Sequence, residues 1–538
     1  MASLMNARED IRVAAHIQEL REEAARSCKL DVYTGVSRIK IYFEIPGEEL
    51  PPKHIKFNAQ QNEPQYEQLL TAIGEILAQG HAQLQNFYLA QLNCQNNGYS
   101  QFWRGLAANQ VLKEVCFYKV YFPDEPDGTR FLANPALESL GIVDCRFPHG
   151  TFDSLCQGIQ SSHIKKLRIS SLRLPQEASW SLLWSALEHG ATCLESLCLG
   201  VSNDATHGAE NGFESFLTNN TSIQSLCLES FSIGRDDLPL FVALGRVLTV
   251  NTTVKILDLC FPCFLTNPAM DERRIQTLFS EGLDQNMAVE SLKVEMGPCL
   301  ETVNALTDGL ERMTRNRANA ATHDGRYEEE SLPVLKELAV RFHMIYDQLR
   351  ATPDVAHDLF FDRLSRSDMI QVEKLEVTQS LIEEVLSPKV CDFIRSTRVT
   401  RSLVYILSTE SPHDNTLADL ADAMEANHSI SEVKLEYFER FHKTSTLLSR
   451  PNRYRIRCQC RRNGIQVYTL RKAENLSLLP LVFARLLSLD DRPADYRERR
   501  KIEARQLVDR TIAFEMLKDI PALFAIYREQ KREEQDCR

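Results

Sequence analysis

No run of about 18 apolar residues occurs in this chain, and its opening stretch, MASLMNAREDIRVAAHIQELREEAARS, lacks the apolar core of a secretory signal. A soluble intracellular protein, cytoplasmic or also nuclear, is the expectation. Positive charge is also short: 62 Lys and Arg against 74 Asp and Glu leave a formal charge of −12. Proteins that live on phosphate backbones need a cationic surface, so nucleic acid is not the expected partner. Missing too are a glycine loop followed by Lys-Ser/Thr, a His-Glu-x-x-His and a Gly-x-Ser-x-Gly, so neither a cofactor nor a catalytic site is expected. The 15 cysteines form no compact framework and lie mostly within apolar runs, as reduced thiols do. The terminal Asp-Cys-Arg is not a prenylation signal.

What the chain does contain is a repeat. In LTNNTSIQSLCLES, apolar residues at Ile223, Leu226 and Leu228 occupy positions 1, 4 and 6 of a short motif. The motif recurs from Leu84, Leu112, Leu137, Ile164, Leu194, Val254, Val289, Leu335 and Val372, more weakly from Thr400, and again from Ile430. Start-to-start distances of 28, 25, 27, 30, 29, 31, 35, 46, 37, 28 and 30 residues fall in the period range of a solenoid. Positions 4 and 6 share one side of a strand, while 3, 5 and 7 face the other way. Between motifs the apolar spacing turns helical, as with Phe213, Phe216 and Leu217, or Leu417, Leu420, Ala421 and Met424. Each unit is therefore strand, loop, helix, loop. One unit cannot bury its apolar face alone, so neighbours stack into a parallel sheet backed by helices.

An asparagine precedes position 1 by three residues in six units: Asn109, Asn134, Asn220, Asn251, Asn286 and Asn427. It stands where the helix must end, and asparagine tolerates the left-handed conformation that commonly ends helices, so helix punctuation of that kind is expected.

This series resembles the ribonuclease-inhibitor-like leucine-rich repeats over roughly residues 52 to 460. The resemblance implies an α/β leucine-rich-repeat solenoid: a curved horseshoe with parallel strands on the concave face and helices on the convex face. The family's polar ladder position is Cys145 in one unit but Val120, Leu172, Phe231 and Pro262 in others, which implies irregular turns after the strands. The expected organisation is an N-terminal helix and strand cap over 1–50, about 13–14 units over 51–460, and a helical C-terminal cap with a charged tail over 461–538. Within the first part, 1–27 reads as an amphipathic helix and SRIKIYFEI as a strand; PKHIKF at Pro52 and RYRIRC at Arg453 read as degenerate copies at the two ends of the repeat array. The polar stretch from Thr314 to Pro333 reads as a loop. The segment RRNGIQVYTLRKAENLSLLPLVFARLLSLDD and the later DIPALFAIYREQKREEQ are similar to the C-terminal portion of leucine-rich-repeat proteins abundant in diatoms, a family with no assigned activity. The chain departs from that family at Leu479, where a tryptophan is usual.

Several side-chain groupings invite chemistry and are better explained by structure. Cys260 and Cys263 in CFPC have no second pair at zinc-finger spacing, and Cys458 and Cys460 alternate like inward strand residues. HDLFFD, from His357 to Asp362, reads as a solvated helix face. The outward strand positions are where a partner would bind. Their middle is small and weakly polar: Ser139, Gly141, Ser196, Cys198, Gly200, Ser225 and Cys227. Around it lie Tyr88, Glu114 and Tyr118, then Lys166 and Arg168, then Lys293, Glu295, Glu337 and Arg341, with a basic cluster at Arg455, Arg457, Arg461 and Arg462. Tyrosine and arginine are enriched at binding hot spots.

The expected function is a non-enzymatic scaffold, monomeric on its own, that binds a protein or peptide on its concave face. Two alternatives follow from resemblance. The apolar Leu-Pro helix at 476–489 is similar to the helices by which F-box or SOCS-box adaptors dock, which implies a substrate-recognition subunit of a ubiquitin ligase. Some solenoids of this type regulate small GTPases, although no residue here stands out for that role.

Overall fold

The structure, a computed structural model, describes residues 2–437 except 35–38, 45–52, 58–63, 94–98, 125, 173–179, 191, 202–209, 231–237, 262–267, 298, 324–334, 343–352, 368–369, 380–386 and 408–413. The chain divides into two compact units, Met1–Gly297 with Asp308–Pro333, and Pro298–Thr307 with Val334–Arg538. Both are built from the expected strand–helix alternation, an α/β solenoid of the leucine-rich-repeat kind.

In the first unit, helix α1 (Ala2–Ala24) leads into an antiparallel pair, β1 (Lys29–Thr34) and β2 (Ile39–Glu44). The next segment, β3 (Lys53–Phe57), runs antiparallel to β2, so PKHIKF is not a repeat strand. The strand parallel to the first motif is instead β1, which lies beside β4 (Asn86–Ala90) with Leu30 opposite Phe87 and Val32 opposite Leu89. From there β5 (Glu114–Tyr118), β6 (Ser139–Val143), β7 (Lys166–Ser170), β8 (Ser196–Val201), β9 (Ser225–Ser230), β10 (Ile256–Cys260) and β11 (Ser291–Met296) follow in sequence order, all parallel.

Positions 4 and 6 do point inward. Val115, Phe117, Leu140, Ile142, Leu197, Leu199, Leu226 and Leu228 are buried against the connecting helices. Those helices are α2 (Pro64–Gln79), α3 (Ser100–Ala108), α4 (His149–Ser161), α5 (Trp180–Gly190), α6 (Glu210–Asn219), α7 (Leu238–Val250) and α8 (Pro268–Glu281). The shortest repeat spacing, 25 residues, is met by replacing the α-helix with a tighter 3₁₀ segment, Pro126–Ala133. Gly74 and Gly105 let α2 and α3 touch backbone to backbone: a Cβ on Gly105 would fall 1.9 Å from the Gly74 carbonyl oxygen. Nearby, Trp103 fills the space between Phe102, Phe117 and Phe122, with ring centroids 5.1–5.8 Å apart.

The recurring asparagines hold the turns, though not by left-handed backbone. Asn109 and Asn286 are extended, at φ −68° and −71°, and none of the six is among the residues with positive φ. Their amides bridge repeats instead. Asn251 Nδ2 donates to the carbonyls of Leu217 (2.9 Å) and Asn220 (3.3 Å) in the preceding unit, while its Oδ1 accepts from the N–H groups of Thr253 and Val254, both at 3.0 Å. Asn286 repeats the pattern on Leu248, Asn251, Ala288 and Val289, and Asn427 on Ile394, Thr397, Ser429 and Ile430. A helix end leaves carbonyls without partners, and a buried asparagine satisfies them together with the next turn's donors.

After the strands the chain is more regular than position 9 suggests. Gln91, Lys119, Asp144 and Ser171, each the residue after its strand, have φ of 65°, 55°, 51° and 52°. Each donates its N–H forward to the next strand's last carbonyl but one or last: Tyr118, Val143, Ser170 and Gly200. The following residues, Leu92, Val120, Cys145 and Leu172, are all buried. Cys145 adds side-chain hydrogen bonds, its thiol donating to the carbonyls of Phe117 and Val143 at 3.6 and 3.3 Å. Phe231 and Pro262 lie outside the described residues.

The expected loop from Thr314 is helical as far as His323, within α9 (Leu300–His323). Its alanines favour helix, and Met313 and Arg317 are buried. Arg317 donates from Nε to the Asn286 carbonyl (3.0 Å) and from an Nη to that of Val289 (2.6 Å), taking the part that the next asparagine would play. Burial lowers its pKa to about 10, so it stays charged at neutral pH.

The second unit carries β12 (Leu335–Phe342), α10 (Pro353–Arg366), β13 (Val372–Gln379), α11 (Pro388–Ser396), β14 (Ser402–Leu407), α12 (Asp414–Ala426) and β15 (Glu432–Tyr437), with its four strands parallel in order. The weak motif at Thr400 holds because Thr397 replaces asparagine and the Thr400 hydroxyl donates to the Val372 carbonyl at 2.9 Å. His357 is not solvated: it is 2% exposed, its ring lies 4.9 Å from Phe361, and burial pushes its pKa down to about 3. The helical cap expected over 461–538 and the RYRIRC copy lie outside the described residues.

Candidate functional site

The outward strand positions of the first unit form three rows across its sheet. The register places Lys29, Asn86, Glu114, Ser139 and Lys166 in the first row, and Asp31, Tyr88, Cys116, Gly141 and Arg168 in the second. Tyr33, Ala90, Tyr118, Val143 and Ser170 make the third. Because a strand alternates, the burial that drives Val115 and Phe117 inward leaves Glu114, Cys116 and Tyr118 on the other side.

One end of this face is aromatic. Tyr33 packs edge-on against Tyr42 with centroids 5.4 Å apart and lies 5.3 Å from Tyr88. Tyr33 is 37% exposed, and Tyr88 and Tyr118 are half-buried. Burial first, and then the neighbouring phenol of Tyr33, push the Tyr88 pKa up, so Tyr88 keeps its hydroxyl proton at neutral pH. Beside them Lys29 pairs with Asp31 at 3.2 Å. Tyr88 and Tyr118 were legible as outward positions of recognised motifs. Tyr33 and Tyr42 were not singled out, although KLDVYT and IKIYFE alternate in the same way.

The middle of the face is a narrow floor of thiols and small residues. Cys198 on β8 stands opposite Cys227 on β9, and Glu229 stands opposite Gly200 and Cys260. Arg168 crosses this floor: its Nη2 is 2.7 Å from Glu229 Oε1, and the Ser170 hydroxyl donates to Oε2 at 2.9 Å. Gly141 lies beside Cys116, and a Cβ there would stand 2.8 Å from the Cys116 sulfur. Burial pushes the Cys116 thiol up to about 11, so it is protonated at neutral pH.

The expected contact residues are therefore only partly gathered. Tyr88, Glu114, Tyr118, Lys166, Arg168 and Lys293 share the first unit's face, and Lys293 lies opposite Asp258. Arg341 belongs to the second unit, where its guanidinium is 3.5 Å from Glu376 and Lys374 pairs with Glu337. Arg455 and Arg457 lie outside the described residues, as does the 476–489 segment. Cys260 is half-buried and Cys263 is outside the described residues. Among the described residues, no helix is long and apolar enough to cross a membrane.

No family model matches the chain and no curated protein matches it. Solved structures do match, among them a crystal structure of a Bacteroides fragilis protein that covers 50% of this chain and 86% of its own, at 11% identity and a TM-score of 0.24. At that TM-score the likeness carries no argument, and the leucine-rich-repeat-like α/β solenoid class rests on the chain's own alternation of strands and helices.

Proposed function

We propose that this chain is a ribonuclease-inhibitor-like leucine-rich-repeat protein that works without catalysis, as a scaffold binding a protein or peptide on the outward face of the first unit's sheet. The observation that carries the proposal is the tyrosine group Tyr33, Tyr42 and Tyr88, with Tyr118 one strand further on, set on the four neighbouring hydrogen-bonded strands β2, β1, β4 and β5. Tyrosines offer large contact area at a low entropy cost, and neighbouring strands fix their spacing before any partner arrives. Glu114 and Lys166 add exposed charge at the rim, where it steers approach and selects partners more than it adds affinity.

The test compares affinity capture from the source cell's lysate by the intact chain and by a Tyr33→Ser/Tyr88→Ser variant, with circular dichroism confirming that both are folded. Proteins held by the first and lost by the second support the proposal. Identical sets with both baits, or no protein held by either, overturn it.

A further inference from the structure

The floor between β8 and β9 has a composition that the protein-binding proposal does not use. Cys198 Sγ, Cys227 Sγ and a Glu229 carboxylate oxygen all lie within 4.8 Å of one another, and Cys198 Sγ is 3.5 Å from Glu229 Oε1. In a tetrahedral zinc centre, bonds of about 2.3 Å to sulfur and 2.0–2.2 Å to oxygen put the ligand atoms roughly 3.5–3.8 Å apart. The observed group needs only a small contraction to reach that geometry. Its three residues come from two adjacent, fully paired strands.

We propose that Cys198, Cys227 and Glu229 form a binding site for a thiophilic divalent cation of the zinc type, with three protein ligands and an outward-facing fourth position. Soft thiolates select zinc-like ions over magnesium or calcium, and a third, oxygen ligand is common where a coordination position stays open. Asp258, opposite Cys227 on β10, adds negative charge beside the site, while Arg168 holds Glu229 until a cation displaces it. Binding releases one proton from each thiol and moves Arg168 off Oε1, while Ser170 keeps its bond to the other carboxylate oxygen. Because both thiols must give up a proton to bind, affinity falls steeply with acidification.

Arg168 distinguishes this site from adventitious binding to any of the chain's exposed thiols. It competes with the metal for Glu229, so Arg168→Met strengthens binding several-fold, whereas binding at another cysteine ignores it. The experiment is a Co²⁺ titration of the full chain under reducing, metal-free conditions, followed by thiolate-to-cobalt charge-transfer absorption and displaced by Zn²⁺. Expected are one equivalent bound, a tetrahedral spectrum, loss of the band in Cys198→Ser/Cys227→Ser, and Glu229→Gln weakened by at least the roughly 10–100-fold that even an outer-sphere partner contributes. No band, a band that survives the double substitution, or affinity unchanged in both Glu229→Gln and Arg168→Met overturns the proposal. Should the double substitution not fold, the Glu229 and Arg168 variants decide alone, since neither removes a buried apolar group.

Discussion

The turn entering each strand and the turn leaving it solve the same problem by different means. On entry, a buried side chain does the work: Asn109, Asn251, Asn286 and Asn427 each connect one repeat's helix end to the next repeat's first N–H groups. On exit, the main chain does it, with Gln91, Lys119, Asp144 and Ser171 all bent into the same left-handed conformation and donating to the next strand. A turn held by a side chain demands one that can reach both repeats, usually asparagine, with Thr397 and Arg317 as the substitutes. A turn held by backbone accepts four different ones.

The largest effect that separates the two turns is expected from Asn251→Ala, which strips partners from two carbonyls and two N–H groups at once. At about 1–3 kcal/mol for each buried group left bare, and with partial relaxation, a loss of about 3–4 kcal/mol is expected. Native-state hydrogen exchange at Thr253 and Val254 measures it, and an unchanged rate there would show that the turn holds without the amide. Arg317→Ala comes next. It bares the carbonyls of Asn286 and Val289 and is expected to cost about 2–3 kcal/mol, read by urea unfolding of the first unit's tryptophan signal. Trp103, Trp180 and Trp184 all report on that unit.

Acid sharpens the contrast from another side, because the asparagine amides do not titrate. In the second unit, His357 is held neutral by burial, with its pKa lowered from 6.5 to about 3. Between those values the unfolded chain binds a proton that the folded one refuses, so this contribution is full above pH 6.5 and is lost as pH falls toward 3, by up to about 1.4 kcal/mol per unit. His357→Phe is expected to flatten that slope in a pH series of unfolding midpoints, and an identical slope would place its origin elsewhere. The smallest effect is Lys119→Gly on the exit side. Relief of the left-handed backbone at φ 55° and the greater freedom of unfolded glycine nearly cancel, leaving a change of about 0.5 kcal/mol or less in the unfolding midpoint.

The same contrast accounts for what could be read from residues alone. The inward positions, such as Leu226 and Leu228, and the asparagines three residues before position 1 are written as residue types, so the strand–helix alternation was legible along the chain. The asparagines' mechanism was not, because a cap and an inter-repeat bridge choose the same residue and differ only in where the amide points. The exit turns left no trace, since any side chain serves there. Arg317 was hidden by its polar neighbours Asn316 and Asn319, which disguise a helix as a loop. The candidate site was legible only row by row: Tyr88, Glu114, Tyr118, Lys166 and Arg168 follow from alternation. Tyr33 and Tyr42 join them through strand pairings at the sheet's first edge, and the Arg168–Glu229 contact bridges two strands 61 residues apart in sequence.

The asparagine bridge also determines how the chain can be edited. Each amide reaches backward with its donor and forward with its acceptor, so a segment cut from one asparagine to the residue before the next carries away one complete set of partners and presents an equivalent set at the joint. A cut made anywhere else strands half a set inside the protein. The solenoid therefore has a natural unit of insertion and deletion, the stretch from Asn251 to Gln285 for instance. Its length can change by such whole steps, while the rows of outward residues are simply read with one strand more or one strand fewer.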